Sequence, residues 1–308
     1  MNKLIYFIGL LAIFFLPTSC TQYIGEPVIN APNNCDEIWY TSMDGKIVTH
    51  YDTTVFGANI VSNTYENGKG VIKFDAPVTS IGGRAFYYCS SLTSVTIPDS
   101  VTSIGEGAFS ECSSLASITI PDSVTSIGEY AFFYCSSLAS ITIPDSVTSI
   151  GGCAFSSCSG LTSVTIGNSV TSIGENAFSE CSGLTSVTIG NSVTSIGEYA
   201  FFYCISLASI TIPDSVTSIG GSAFSSCSGL TSVTIGNSVT SIGNYAFLGC
   251  TSLKEVYCKR VTPPSGKSDM FHNNASGRTI YVPHNSVEAY KSAEYWSNYA
   301  SYIEGYDF

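Results

Sequence analysis

Positive charge is scarce in this chain of 308 residues: 11 Lys and Arg stand against 23 Asp and Glu, a formal net charge of −12. Between Val78 and Leu253, Arg84 is the only basic side chain. Phosphate backbones are gripped by clustered Lys and Arg, so nucleic acid is excluded as a partner. Anionic lipid and heparin-like surfaces are disfavoured by the same electrostatics. Histidine is nearly missing too: His50, His272 and His284 are the only three, and no HExxH, GxSxG or P-loop pattern occurs. No imidazole is therefore placed to activate a serine or cysteine, and no glycine loop to hold a nucleotide. The carboxylates Glu106 and Glu111, or Glu175 and Glu180, fall on an open surface rather than in the enclosed pocket that glycoside hydrolysis needs. These absences predict a non-enzyme without cofactor or metal.

Long apolar runs are also lacking, except near the N-terminus, where Lys3 precedes the run Leu4 to Leu16. That run is too short for a helix across ~30 Å of hydrocarbon and reads as a secretory signal. It ends at Pro17-Thr18-Ser19-Cys20, which resembles a bacterial lipoprotein box, with Pro17 where the usual pattern has Leu and Cys20 as the lipidated residue. Membrane association is expected only through that lipid.

What the chain has in abundance is itself. A 23-residue unit, close to VTSIGxxAFxxCxxLxSVTIPDS, recurs eight times without insertion from Val78, with valines at 101, 124, 147, 170, 193, 216 and 239. A period of this length marks stacked supersecondary units that bury their apolar sides only against one another. In Leu92-Thr93-Ser94-Val95-Thr96-Ile97 the apolar residues have LxxLxL spacing, so Leu, Val and Ile point inward while Ser94 and Thr96 point out. Pro98, Pro121, Pro144 and Pro213, or Gly167, Gly190 and Gly236, end the strand. A short extended piece, Val101 to Ile104, follows; after an unvarying glycine comes one expected helical turn with Ala108 and Phe109 inward and positions 106, 107, 110 and 111 in water.

The predicted fold is a leucine-rich repeat solenoid, a β-rich right-handed superhelix of eight coils. Its divisions are a signal peptide (1–19), a linker (20–34), an N-terminal β cap (35–77), the solenoid (78–258) and a C-terminal strand and helix cap (259–308). Both caps are needed to cover strand edges that would otherwise polymerise. The terminal helix is expected to start at a cap, Asn285 or Ser286, and to run through Val287, Tyr290 and Trp296.

Twelve cysteines in an exported chain would ordinarily suggest disulfides. Eight of them, Cys89, Cys112, Cys135, Cys158, Cys181, Cys204, Cys227 and Cys250, occupy one repeat position. Adjacent strands hold such side chains ~4.7–4.9 Å apart, whereas a disulfide needs Cβ atoms at ~3.8 Å. A column of free buried thiols is expected.

The units, with GxxAFxxC followed by LxSVTIPDSVTSIG, resemble the BspA-like bacterial leucine-rich repeat proteins from Val78 to about Lys254. The flanks resemble lipoproteins of that family, in Glu37 to Ser42 with Gly45-Lys46 and in Tyr281-Val282-Pro283 with Val287 to Lys291. The resemblance implies an extracytoplasmic protein, lipid-anchored to the outer membrane, of host-associated anaerobes. In some members it implies an adhesin for fibronectin, fibrinogen or other cells. Thr21 to Ile24 lacks the acidic cluster that often follows the cysteine in surface-exported lipoproteins.

Three features remain as site candidates. Tyr130, Phe133 and Tyr134 in one repeat and Tyr199, Phe202 and Tyr203 in another form aromatic clusters three coils apart, with Tyr87, Tyr88 and Tyr245 at related positions. Exposed aromatics serve protein contacts or stack on sugars, and can equally be rings that only cover their neighbours. Asp99, Asp122, Asp145, Asn168, Asn191, Asp214 and Asn237 form a turn column that either binds calcium between stacked carboxylates or, as the interchange of Asp with Asn favours, bonds its own turns. Ser100, Ser123, Ser146 and Ser215, each in Asp-Ser-Val, resemble a short O-glycosylation acceptor motif. Host protein recognition, glycan binding in nutrient capture, and a passive coat or spacer are the functions left open.

Overall fold

Three segments of each 23-residue unit bond to the same segments of the coils before and after it, giving a three-sided solenoid. The structure, a computed structural model, describes residues 35–49 and 54–308; the signal, the linker and Cys20 lie outside them. The first side carries the longer strands: β4 (Leu92–Thr96), β5 (Ser117–Thr119), β6 (Ser140–Ile143), β7 (Ser163–Ile166), β8 (Ser186–Thr188), β9 (Ser209–Ile212), β10 (Ser232–Ile235) and β11 (Glu255–Cys258). They pair in parallel with identical positions opposed, as Ser163 with Ser186 and Thr165 with Thr188. The second side is an unbroken eight-rung ladder of two-residue strands from Ser80–Ile81 to Ser241–Ile242.

The third side is not a helical turn. Alternate amides reach the next coil, Arg84 N–H to the Glu106 carbonyl (2.9 Å), Phe86 to Ala108 (2.7 Å) and Tyr88 to Ser110 (2.9 Å). The amides between them close local turns, Ala85 to Gly82 (3.2 Å) and Tyr87 to Arg84 (3.1 Å). A left-handed residue every four positions, Arg84 (φ 60) then Tyr88 (φ 64), recurring as Tyr130 and Tyr134 and as Tyr199 and Tyr203, is incompatible with helix. The alternation leaves Gly107 and Ser110 buried, not in water, while Glu106 is exposed.

Identical residues stack through the interior. The Phe column from Phe86 to Phe247 has ring centroids 5.0–5.3 Å apart and interplanar angles of 3–7°. Each coil buries its Val, Ile, Ala, Phe, Cys and Leu almost completely. The unvarying glycine is required by contact rather than by φ: a Cβ on Gly105 would sit 2.7 Å from the Gly83 nitrogen, and one on Gly174 would sit 2.7 Å from the Gly151 carbonyl carbon.

The solenoid continues one irregular turn past the eight regular coils at each end. Phe56 packs edge-on against Phe86 at 5.8 Å, and Phe271 stacks on Phe247 at 5.3 Å. At the N-terminal end β1 (Glu37–Ser42) lies antiparallel against β4 and β3 (Lys69–Phe74), and β2 (Ile60–Glu66) pairs with β3. At the other end β12 (Thr279–Pro283) and β13 (Ile303–Tyr306) extend the long-strand side in parallel. The expected terminal helix is shorter than its sequence suggested. α1 covers Val287–Ser292, Ser286 makes no side-chain cap bond, and the chain breaks at Ala293 and at left-handed Tyr295 (φ 64). That break turns Trp296 into the interior, where its ring lies 4.8 Å from Tyr290 and its N–H donates to the Pro264 carbonyl at 2.8 Å.

Candidate functional site

The first strand side is split twice, between β5 and β6 and between β8 and β9. Both splits precede coils carrying Ser, Ala and Pro (Ser137, Ala139, Pro144; Ser206, Ala208, Pro213), where closely paired coils carry Gly, Thr and Gly (Gly160, Thr162, Gly167; Gly183, Thr185, Gly190). The glycines allow close approach: a Cβ on Gly160 or Gly167 would fall 2.4–2.5 Å from a carbonyl oxygen of the preceding coil. The threonines add a bond, as Thr162 Oγ1 donates to the Ala139 carbonyl at 3.0 Å. A third such coil, with Ser114, Ala116 and Pro121, still pairs with the coil before it at Ser117, Ile118 and Thr119. At the second split a cleft of about 380 Å³ opens, lined by Thr185, Ser186, Thr188, Asn191, Ser209 and Thr211 with Val187, Ile189 and Pro213. The repeat reading missed this cleft, although the change from GLTS and GNS to SLAS and PDS marks its place.

Both aromatic clusters form on the turn side. Tyr130 meets Phe133 at 5.9 Å and 75°, Tyr199 meets Phe202 at 5.8 Å and 80°, and the second tyrosines, Tyr134 and Tyr203, lie 6.3 and 6.1 Å from those Phe rings. The four tyrosines are 40–49% exposed, whereas Phe133 and Phe202 are half-buried beneath them. Tyr88 and Tyr245 are exposed at the equivalent positions, and Tyr87 is half-buried beside Tyr88 at 5.5 Å. Every exposed member of the set has positive φ, from 55 to 64°. The same two columns are left-handed in every regular coil, with Arg84, Cys153 and Ser222 in one and Glu111, Ser157, Glu180 and Ser226 in the other; Gly107, Asn176 and Gly249 accept the conformation with less strain. Glu111 raises the Tyr88 phenol pKa by its charge and hydrogen bond, and contact with the Cys153 thiol raises that of Tyr130.

Most of the remaining candidates have structural partners. Ser100, Ser123 and Ser146 donate to the carbonyls of Val78, Val101 and Val124 at 2.6–2.7 Å. Ser215 Oγ is buried without a partner, in the coil that follows the second split. Three members of the Asp/Asn column bond along the axis, Asp145 accepting from the Asn168 amide (2.5 Å), Asn168 from Asn191 (3.2 Å) and Asp214 from Asn237 (2.9 Å), while Asn237 accepts from Ser238 in its own turn (3.2 Å). The cysteine column is a ladder of free thiols. From Cys112 on, each donates to the preceding coil's Phe carbonyl at 3.0–3.3 Å. Burial pushes the Cys158 thiol up to about 12. Among the described residues no three His, Cys, Asp or Glu side chains gather to hold a metal. No described helix is long and apolar enough to cross a membrane.

Stacked LxxLxL strands, a buried Phe column and a repetitive outer surface define a leucine-rich repeat solenoid, an architecture suited to protein–protein interaction and generally non-enzymatic. The BspA type leucine rich repeat region matches residues 58–185 and 171–299 in six copies, and the chain belongs to that family. A leucine-rich repeat protein of Bacteroides ovatus is 33% identical over 71% of this chain, with a TM-score of 0.52; the match covers 61% of that protein. A leucine-rich cell surface protein of Faecalibacterium prausnitzii is 26% identical over 81% of this chain and 87% of its own, with a TM-score of 0.45. No curated protein matches.

Proposed function

We propose that the protein is a non-enzymatic, lipid-anchored recognition protein of the cell envelope whose turn side binds protein partners, with host matrix or plasma glycoproteins or other cell surfaces as the targets. The observation that carries this reading is the set of tyrosines standing 40–62% exposed at columns where other coils carry small or polar residues. Tyrosine is a favoured contact residue at protein interfaces. The test is binding of the full chain to immobilised fibronectin and fibrinogen, before and after Tyr130→Ala combined with Tyr199→Ala. Binding weakened by roughly tenfold or more supports the reading, as hot-spot aromatics carry ~2 kcal/mol each; unchanged binding overturns the assignment of this face. Protease shaving of intact cells checks surface display, because full protection alongside intact periplasmic controls contradicts a host-facing role.

A second reading, glycan binding in nutrient capture, is favoured by the cleft between β8 and β9. Its lining is hydroxyls and one amide over apolar Val187, Ile189 and Pro213, with no charged side chain, and neutral sugars offer the matching hydroxyls and apolar faces. A glycan array with Thr188→Val and Thr211→Val variants separates the two readings.

A further inference from the structure

The long-strand side changes character at its C-terminal end. From β4 to β10 its outward positions are Ser and Thr, ending in Ser232 and Thr234. One strand later Glu255 stands opposite Ser232 and Tyr257 opposite Thr234; on β12 Tyr281 stands opposite Tyr257, and on β13 Glu304 stands opposite Tyr281. Tyr257 and Tyr281 stack at 4.9 Å and 19°. Tyr306 lies 5.3 Å from each, at 71° and 56°, and Phe308 sits 5.1 Å beyond it. Tyr306 and Phe308 are 41% and 52% exposed.

We propose that this corner binds a basic segment of a partner protein, with an Arg or Lys side chain against the Tyr257 ring above Thr234 and the Glu255 carboxylate as its counter-ion. The ring supplies the face. Tyr281 covers one side of Tyr257, and the residue opposite its other side is Thr234, which has no ring to cover it. A tyrosine standing one strand beyond a lawn of short hydroxyl side chains is a wall at the end of a floor. The carboxylates supply the sign: Glu255 and Glu304 are exposed on the same side, with Glu255 two residues before Tyr257 on one face of β11. Of the nearby basic side chains, Lys254 lies one residue before β11, Lys259 and Arg260 follow it, with Arg260 donating to the Asn237 carbonyl at 3.1 Å, and His284 is 3.5 Å from Asp307. Cations are drawn to aromatic faces, an adjacent carboxylate adds its own attraction, and the −12 charge of the chain steers them inward. An acidic segment is repelled, and a neutral sugar can bond the carboxylates through its hydroxyls but gains nothing from their net charge.

The proposal concerns a different face from the tyrosine clusters and stands or falls apart from them. Its test is calorimetric titration of the full chain with a peptide of alternating Gly and Arg, a matched peptide of Gly and Glu, and maltohexaose, each at low and physiological salt. The Gly-Arg peptide is expected to bind, less tightly at higher salt. Tyr257→Ser, which extends the hydroxyl floor by one strand, and Glu255→Gln are each expected to weaken it roughly fivefold. Tyr130→Ala with Tyr199→Ala should leave it unchanged. Equal binding of the Gly-Glu peptide, displacement by maltohexaose, or Gly-Arg affinity unaltered in folded Tyr257→Ser each overturns the proposal.

Discussion

A tyrosine at φ near 60° is held because its amide bonds to the next coil, as Tyr199 does to the Gly221 carbonyl at 2.9 Å, while the following amide closes a local turn, Ala200 to Gly197 at 3.4 Å. Replacing it separates ring from backbone. Tyr199→Gly is expected to be more stable than Tyr199→Ala by about 1 kcal/mol, because glycine removes the Cβ strain that alanine keeps; equal urea midpoints would show that no strain is stored there. The thiols carry a second residue-scale consequence. Burial raises Cys89 to about 11 and Cys158 to about 12, from an ordinary value of 9.0. Between pH 9 and those values the unfolded chain releases protons that the folded chain holds, so stability is intact below pH 9 and falls as pH rises. Each thiol contributes up to ~1.4 kcal/mol per pH unit in that window. Urea midpoints measured from pH 8 to 11 should therefore decline steeply, and midpoints flat to pH 11 would contradict a buried thiol column. Below pH 9, iodoacetamide should label half-buried Cys153 before any column cysteine.

At the scale of the element, both splits fall at coils with the Ser, Ala and Pro pattern, which the coil of β5 also carries while pairing with β4, so the pattern permits a split without enforcing one. Ser206→Gly, Ala208→Thr and Pro213→Gly together give the coil of β9 the residues of its tightly paired neighbours. The triple variant is expected to close β8 onto β9, slow amide exchange at Ala208 to Thr211 by tenfold or more, and remove the cleft. Exchange as fast as in the parent would mean the split has another origin. Conversely Gly174→Ala, which drives a Cβ into the backbone of the preceding coil, should cost several kcal/mol of stability. The strands, their inward and outward residues and the Phe and Cys columns were legible because each follows from period and alternation. The third side was not. A segment reading GxxAFxxC suits a helical turn by propensity, and its left-handed residues become affordable only through bonds to coils 23 residues away, which no local window contains. The terminal helix failed for a similar reason, since burial of Trp296 against Tyr290 and Phe271 outweighs helix continuation. The aromatic clusters were visible as a motif. The Tyr257 corner was not, because Tyr257, Tyr281 and Tyr306 lie in three unlike segments that only the strand register aligns.

For the whole molecule, in-register stacking of near-identical coils is both the source of cohesion and the hazard, since any uncovered end presents backbone groups that fit another copy. The N-terminal end avoids this by reversing direction: β1 runs antiparallel to β4, so the strand added there differs in hydrogen-bond pattern and in sequence from any coil. The C-terminal end keeps the parallel direction but changes the side chains, replacing Ser and Thr by Tyr and Glu and packing Tyr290, Trp296 and Tyr299 behind the last Phe of the column. Removing residues 279–308 would uncover the outer edge of β11 and the ring of Phe271 together. The shortened chain is expected to associate in a concentration-dependent way while keeping its β-rich circular dichroism. Light scattering after size exclusion measures this directly. A monomer at all concentrations would mean that the irregular ninth turn is itself a sufficient stop, and that the terminal strands serve recognition rather than containment.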